Sequence, residues 1–510
     1  MITHTTVQTL GSLLKSARDI MRKDKGLNGD LDRLPLLTWI MFLKFLDDLE
    51  LQREEEARLA AKTFKPAITE PYRWRDWAAR TDGITGDELL AFINNEVSAM
   101  PDGAYGPGLF RYLRSLSGTG GDDRREVIAA VFSGVDNRMK SGYLLRDVIN
   151  KIGGIRFSSS DELHTLGALY ESMLREMRDA AGDSGEFYTP RPVVRFMVKV
   201  TDPRLGETVL DPASGTGGFL VEAYNHLAAQ VKTVADRKIL QEQSLFGCEP
   251  KPLPFLLCQM NLLLHGLDAP QIDPGNALRY KLTDIGERDR VDVILTNPPF
   301  GGEEERGIQG NFPDDKQTAE TALLFLQLIM RKLKRRHGKA RAAVVVPNGT
   351  LFGDGVCARI KEELLTDFNL HTIIRLPNGV FAPYTGIPTN LLFFDRDGQT
   401  RDVWYYEQPL PEGRKNYTKT APILFDEFTA CIEWWNSRKE NERAWKVPTA
   451  ELLANGCNLD RKNPRGRENI AHLPPEEIAA GILEKERRIA EIMGNIQKLL
   501  IEGENPGKAE

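Results

Sequence analysis

Asn297, Pro298, Pro299 and Phe300 form the stretch of this chain whose groups are best suited to chemistry. They directly follow residues 291–296, an apolar run typical of a buried strand. Because two consecutive prolines cannot continue strand pairing, the chain must leave the sheet here, at the carboxyl end where open α/β sheets bind ligands. The Asn297 amide offers hydrogen-bonding groups and the Phe300 ring offers a flat stacking face. The pattern indicates a grip on a planar amino group, and a strand-end turn inside a core is the alternative.

A glycine-rich turn follows another short strand, nearer the amino terminus. Residues 207–210 predict the strand, Asp211 opens the turn, and the glycines of 215–218 allow a tight bend and close approach to a ligand. The next predicted strand, 244–248, is followed by Glu249, an acid able to accept hydrogen bonds from both ribose hydroxyls. In a dinucleotide fingerprint the acid lies only about 20 residues beyond the glycines. The greater separation here favours S-adenosylmethionine over a nicotinamide cofactor.

Several motifs together resemble a known family, the adenine-specific amino-methyltransferases that act on DNA, and within it the modification subunit of type I restriction–modification systems. The resemblance extends in order over nearly the whole chain. It rests on residues 185–193 (GEFYTPRPV), 211–219 (DPASGTGGF), 297–300 (NPPF), 343–352 (AVVVPNGTLF), 376–390 (LPNGVFAPYTGIPTN) and 458–464 (NLDRKNP).

This resemblance implies roles for the residues of the four-residue motif. The Asn297 side-chain oxygen would accept one hydrogen bond from the target amino group and the Pro298 carbonyl the other, with Pro299 completing the motif. Phe300 would stack on an adenine that has been flipped out of the duplex. Phe381 would stack on the other face of the base, or else be an ordinary core aromatic.

The resemblance also implies a binding site for S-adenosylmethionine. Asn276 stands where family members often carry an acid that meets the adenine amino group of the cofactor. Methyl transfer from a sulfonium needs no metal, so catalysis would consist of positioning and electrostatics. The residues expected to bind the cofactor are Glu186, Phe187, Tyr188, Thr189, Pro190, Arg191, Asp211, Ser214, Gly215, Thr216, Gly217, Glu249 and Asn276.

The elements that must position these residues follow from hydrophobic spacing. Residues 1–150 show apolar residues at three-to-four spacing, with Trp39, Phe42 and Phe45 as core side chains and no alternating strand pattern. From about 150 to 395, strand-like runs alternate with helical segments, which predicts a parallel sheet with crossover helices.

Combined with the resemblance, this organisation predicts an α/β fold: a Rossmann-like S-adenosylmethionine-dependent methyltransferase sheet, a helical N-terminal domain and a C-terminal amphipathic helix. The expected domains are 1–150 (helical), 151–470 (catalytic) and 471–510 (tail for subunit association). We expect the polar loop 301–316 to be mobile and to order when substrate enters. The basic run 331–336, which ends a predicted helix, complements the helix dipole or, in a second reading, contacts nucleic-acid phosphate.

The tail carries apolar residues in a heptad seam that needs a partner surface, either its own domain or a second protein. The family assembles with a DNA-specificity subunit, and a second copy of the modification subunit and a restriction subunit are further expected partners. The seam consists of Ile478, Ile482, Ile489, Ile492, Ile496 and Leu499.

Composition limits the function without identifying it. The chain has 510 residues and 41% hydrophobic content, as expected for several globular domains. Its five cysteines include no C-x-x-C pair, and we expect a cytoplasmic protein with no signal peptide or membrane span. A net charge of −6 suggests that another subunit supplies many of the binding contacts to double-stranded DNA.

Two other functions stay open. The same four-residue motif occurs in methyltransferases of RNA and of protein glutamine, and an inactive methyltransferase-like scaffold of a defence complex is a binding-class alternative. Methylation of the cytosine ring carbon is disfavoured because the chain has no Pro-Cys pair. The sequence also has no phosphate-binding loop of the G-x-x-x-x-G-K-[ST] type, so we expect no ATPase motor.

Overall fold

The computed structural model describes most of the chain, in segments. Contacts divide the chain into one unit, Met1–Asn463, and a second unit, Pro464–Glu510. Among the described residues, no helix has the length and apolar character that crossing a membrane requires. The described residues are 7–80, 83–117, 124–155, 167, 170–174, 189–300, 302–335, 340–382, 385–418, 420–465, 483 and 485–494.

The amino-terminal part is helical, as the spacing predicts. Trp39, Phe42 and Phe45 are buried in its core, which confirms their predicted place. A small hairpin, β1 (Val97–Ala99) with β2 (Tyr105–Pro107), was missed because three-residue strands are too short to show alternation. The helices are α1 (Val7–Met21), α2 (Asp30–Leu59), α3 (Trp74–Trp77), α4 (Gly86–Asn94), α5 (Leu109–Arg114), α6 (Arg124–Ser133) and α7 (Gly142–Gly153).

A nine-stranded sheet forms the centre of the following part, with strand order β11-β10-β8-β9-β7-β6-β3-β4-β5. Strands β5, β4, β3, β6 and β7 are parallel, as predicted, whereas β9 lies antiparallel between β7 and β8, and β11 is antiparallel to β10. The sheet is therefore mixed. The strands are β3 (Val209–Asp211), β4 (Leu245–Cys248), β5 (Gln271–Asp273), β6 (Val293–Thr296), β7 (Arg341–Pro347), β8 (Asn369–Arg375), β9 (Thr389–Asp395), β10 (Asp402–Glu407) and β11 (Ala444–Pro448).

The antiparallel strand has a simple cause. Between β8 and β9 the chain forms only the loop 376–388, without a crossover helix among its described residues, so the returning strand pairs antiparallel with β8. The sheet also continues past residue 395, where the predicted alternation stopped, because β10 and β11 extend its edge. These two strands lie within the predicted span 151–470.

Helices cover the sheet between the strands. Two helices begin where they were predicted to begin, at Gly218 and at Thr321. The loop expected to be mobile, 301–316, contains a short helix, a 3₁₀ turn and the buried Phe312 among its described residues. The helices are α8 (Arg191–Thr201), α9 (Gly218–Ala228), α10 (Val234–Gln243), α11 (Pro252–Leu264), α12 (Arg306–Gln309), α13 (Thr321–Lys332), α14 (Gly349–Phe352), α15 (Val356–Asp367), α16 (Thr429–Asn436) and α17 (Thr449–Ala454).

The order of strands creates a crevice between β3 and β6. After β3 the chain builds β4 and β5 on one side, and then returns to form β6 on the other side of β3. In open α/β sheets such a reversal leaves a crevice at the carboxyl ends of the two strands, where ligands bind. Asp211 ends β3 and Asn297 directly follows β6, so both predicted motifs lie at this crevice.

Only part of the predicted tail falls within the described residues. Residues 485–494 are helical, and Ile489, Ile492 and Met493 expose more than half of their surface. The seam residues Ile478, Ile482, Ile496 and Leu499 lie outside the described residues.

Candidate active site

A cavity of about 370 Å³ lies at the carboxyl ends of β3, β4 and β6. It brings together side chains from the predicted motifs, which are far apart in the sequence. The predicted residues that line it are Thr189, Arg191, Asp211, Ser214, Gly215, Thr216, Glu249, Asn276, Asn297 and Pro299.

The glycine-rich turn forms one wall, and its conformation requires glycine. Gly215 and Gly217 have φ of +53° and +79°, in the left-handed region that other residues adopt only with strain. A Cβ on Gly217 would also lie 2.8 Å from the Cys258 sulfur. The Ser214 N–H donates to the Cys248 carbonyl at 2.9 Å, which fixes the turn against β4.

Glu249 connects this turn to the end of β4. Its side chain is buried, and one carboxylate oxygen accepts a 3.0 Å hydrogen bond from the Gly215 N–H. The other oxygen accepts from the Lys251 N–H at 2.8 Å. The carboxylate therefore shapes the cavity as well as lining it.

Asp211 is a fully buried acid at the bottom of the cavity, only 1% exposed. Its Oδ1 accepts hydrogen bonds from the Thr296 hydroxyl at 2.7 Å and the Ala213 N–H at 3.1 Å. Its Oδ2 has no hydrogen-bond partner among the described residues. Burial, with a smaller contribution from the charge of Glu249, raises the pKa of Asp211 to about 7. A cation entering the cavity would stabilise the ionised form of this carboxyl.

The Asn297 amide is held in one orientation. Its Nδ2 donates a 3.0 Å hydrogen bond to the Thr189 hydroxyl, across 108 residues of sequence. Its Oδ1 is buried and has no hydrogen-bond partner in the described part of the chain. A buried acceptor without a donor is costly, so this oxygen is poised to accept an N–H from a ligand.

Two aromatic rings, that of Phe300 in the motif and that of Phe381 beside it, lie outside the cavity wall. Phe300 is half-buried, and Phe381, 3% exposed, packs edge-on against it with ring centroids 5.8 Å apart. Of the two predicted roles for Phe381, this burial favours the core aromatic, because the ring has too little free surface to stack on a base. Pro190, Gly217 and Pro298 also lie off the cavity wall.

A partly buried ion pair behind the glycine-rich turn was not anticipated. Arg191 donates two 2.7 Å hydrogen bonds to the Glu171 carboxylate. Asn261 donates to both Glu171 and the Thr216 carbonyl, at 2.7 and 2.9 Å. Burial opposes ionisation of Glu171, but Arg191 outweighs it and holds the pKa of Glu171 below its usual range. This network fixes the turn from behind, with the Arg191 guanidinium occupying the space beside Gly218.

Other lining residues were not among the predicted site residues, among them Phe219, Ala277 and Phe325. The predicted residues Glu186, Phe187 and Tyr188 lie outside the described residues. Within the described residues, no group of three or more His, Cys, Asp or Glu side chains is arranged to hold a metal ion.

Comparison with known proteins identifies two family models. The model described as N-6 DNA Methylase matches residues 161–472, and the HsdM N-terminal domain model matches residues 10–152. The chain is 48% identical over 502 residues to the Type I restriction enzyme EcoEI methylase subunit of Escherichia coli, covering 96% of this chain and 98% of that protein.

Solved structures agree with these matches. A protein described as a modification subunit of a type I restriction enzyme from Vibrio vulnificus YJ016 superposes with a TM-score of 0.83 at 68% identity, covering 92% of this chain and 99% of that one. A chain from a study of type I R-M complex assembly superposes with a TM-score of 0.80 at 43% identity, covering 99% and 100%.

Proposed function

Because this chain belongs to the family of type I restriction enzyme methylase subunits, we propose that the cavity at β3, β4 and β6 is its methyl-transfer site. Membership makes the chain an adenine-specific DNA methyltransferase that uses S-adenosylmethionine. The substrate is the N6 amino group of adenine. The roles of individual residues, the partners and the compartment are our proposals.

The residues of the cavity fit S-adenosylmethionine. The Oδ2 of Asp211 and the hydroxyl of Thr216 are buried polar atoms in its wall that have no hydrogen-bond partner among the described residues. A ligand with a cationic and hydroxyl-rich surface would satisfy both. Glu249 would accept hydrogen bonds from the ribose hydroxyls. Asn276, whose Oδ1 accepts a 2.9 Å hydrogen bond from the Leu278 N–H, would meet the adenine ring of the cofactor. When bound, the cofactor supplies an electrophilic methyl group on its sulfonium.

The chain's own contribution to the chemistry centres on Asn297. An aromatic amino group is a poor nucleophile because its lone pair is delocalised into the ring. Hydrogen bonds accepted by the Asn297 Oδ1 and the Pro298 carbonyl would draw the amino group toward a tetrahedral shape and localise that lone pair. Thr189 fixes the amide in advance, so little reorganisation is needed at the moment of reaction.

Phe300 is proposed to hold the target base. An adenine inside a duplex cannot reach the cavity, so it must be flipped out and stacked on an aromatic face. The edge-on packing of Phe381 against Phe300 supports this arrangement, because it stiffens the ring that would carry the base. Phe381 would then be a positioning residue, without a base contact of its own.

The partners we propose are double-stranded DNA, a DNA-specificity subunit, a second copy of this chain and a restriction subunit. The net charge of −6 supports the proposal that another subunit contributes to DNA binding, because DNA itself is negatively charged. Exposed apolar residues on helix 485–494 support a tail that binds a partner. We propose the boundaries 1–150, 151–470 and 471–510 for the domains, supported by the family matches at 10–152 and 161–472. We also propose a cytoplasmic location, in keeping with the unpaired cysteines.

The assignment of the site rests on the buried Oδ1 of Asn297, which lies beside the cofactor cavity and has no hydrogen-bond partner among the described residues. The test combines the chain and its specificity subunit with labelled cofactor and DNA, followed by nucleoside analysis. We expect N6-methyladenine. Transfer to RNA or protein glutamine would favour the other methyltransferase classes, and no transfer to any substrate would favour the inactive scaffold.

A further inference from the structure

A second cavity, of about 380 Å³, lies near the amino end of β7, whereas the methyl-transfer site lies at the carboxyl ends of the parallel strands. Arg396, in its wall, directly follows Asp395, and Asp395 pairs with Arg341 at the first position of β7. Arg331, also in the wall, belongs to the last turn of α13. The two cavities share no lining residue.

Arginines from two separate parts of the chain line this cavity, and a third part places another arginine within reach of their charges. Arg331 and Arg335 come from the end of α13 and the residues after it, and Arg396 from the end of β9. Arg290, before β6, is buried, and the charges of the other three act on it. Complementing the dipole of α13 explains Arg331 and Arg335, but it does not explain why Arg290 and Arg396 are brought to the same place.

The charges around this cavity are not balanced. Burial, together with the neighbouring guanidinium charges, lowers the pKa of both Arg290 and Arg396. Against the four guanidinium groups stand the carboxylates of Glu287 and Asp367. A third carboxylate in the wall, Glu363, is already paired with Lys316. Among these groups the guanidinium charges exceed the carboxylate charges by two, and like charges held this close favour binding of an anion.

Two of the guanidinium groups, those of Arg331 and Arg396, are held in place before any ligand binds. The Arg331 Nε donates to the Leu282 carbonyl at 2.8 Å, and the Arg396 Nη2 donates to the Met330 carbonyl at 3.2 Å. The Arg396 guanidinium lies 4.5 Å from the centre of the Phe368 ring, a stacking contact that fixes its plane. The buried Nε of Arg396 has no hydrogen-bond partner among the described residues.

We propose that this cavity is a binding site for phosphate groups, separate from the methyl-transfer site. Fixed arginines match phosphate oxygens in paired hydrogen bonds, which a lysine cluster does not do as well. The cavity volume is that of a small-molecule site. The phosphates would belong to a free polyphosphate or nucleotide, or to the backbone of a nucleic acid.

The test measures binding of tripolyphosphate and of a nucleoside triphosphate to the full-length chain by calorimetry. Arg335 is exposed and Arg331 half-buried, so Arg335→Gln and Arg331→Gln should fold. Each should weaken binding on the order of tenfold or more, because a charge-assisted hydrogen bond is lost. The matched control is Arg237→Gln on the exposed face of α10, which should bind as the wild type does. Affinity for S-adenosylmethionine should be the same in all three variants, which separates this site from the methyl-transfer site.

Competition by a short DNA duplex identifies the source of the phosphates. Displacement of tripolyphosphate by the duplex assigns the cavity to a nucleic-acid backbone, and lack of displacement assigns it to a free ligand. The proposal is overturned by no binding of either phosphate compound, by equal binding to wild type and Arg335→Gln, or by an equal loss in Arg237→Gln. Binding of a poly-glutamate peptide in place of tripolyphosphate would overturn the phosphate assignment.

Discussion

Replacing Asp211 with asparagine isolates the effect of the carboxyl that is buried at the bottom of the methyl-transfer cavity. The asparagine has nearly the same size, and its side-chain oxygen can still accept hydrogen bonds from the Thr296 hydroxyl and the Ala213 N–H. It cannot ionise. Because burial raises the pKa of Asp211 from about 4 in the unfolded chain to about 7 in the folded one, only the wild type takes up a proton at position 211 when it folds near neutrality.

The raised pKa fixes the sign of the pH dependence. The stability that the protonated Asp211 contributes is fully present below about pH 4 and is lost as the pH rises to about 7. Between pH 5.5 and pH 7 the loss is roughly 1.4 kcal/mol per pH unit, or about 2 kcal/mol, and above pH 7 it stops. Asp211→Asn has no such loss. Its free energy of unfolding relative to the wild type should therefore rise by about 2 kcal/mol from pH 5.5 to pH 8.5.

Urea unfolding of both proteins at the two pH values measures this difference, in which other titrating groups cancel. The matched control is Asp292→Asn. Burial raises the pKa of Asp292, but hydrogen bonds from Lys334 and Thr208 outweigh it and hold the pKa below its usual value. That carboxyl stays ionised throughout the range, so its variant should differ from the wild type by the same amount at both pH values. A constant difference for Asp211→Asn as well would show that Asp211 does not have a raised pKa in the folded protein.

Three further predictions concern the cofactor, the base and assembly. Glu249→Gln should weaken binding of S-adenosylmethionine in calorimetry by roughly 1.5–3 kcal/mol, because charge-assisted hydrogen bonds are lost; unchanged affinity would remove Glu249 from the site. Phe300→Ala should weaken capture of the flipped adenine by roughly 1–3 kcal/mol, measured with a fluorescent base analogue, and an unaltered signal would exclude stacking. Deleting residues 475–510 should leave cofactor binding intact but abolish association with the specificity subunit in size-exclusion chromatography. A complex of full affinity would show that the tail is not the docking element.

The sequence was most informative where a backbone requirement restricts the residue type. Gly215 and Gly217 adopt positive φ in the turn after β3, and the two prolines follow the end of β6. Each motif therefore indicated from the sequence where its strand ends. Hydrophobic spacing also predicted the helical region around Trp39. It could not predict the place of β9, because strand order depends on pairing between distant segments and not on local pattern.

Side-chain partners across the fold were the least predictable part of the site. Thr189 and Asn297 are 108 residues apart, and Asn261 lies 90 residues from Glu171. None of these contacts leaves a periodic or compositional signal. Thr189 was expected at the site only through the family motif, and Glu171 and Asn261 were not expected there at all. Their roles became visible only when the folded sheet brought β3, β6 and the preceding segments together.

We propose that the Asn297 amide acts on the target amino group and not on the cofactor. The most direct measurement is methyl transfer and cofactor affinity of Asn297→Ala, in complex with the specificity subunit, beside the exposed control Asn225→Ala. We predict that transfer to adenine falls by a factor on the order of 100 to 1,000, as when one preorganised hydrogen-bonding group is removed from other enzymes, with unchanged affinity for S-adenosylmethionine. Wild-type transfer by Asn297→Ala, or a loss of transfer fully explained by lost cofactor binding, would contradict the account.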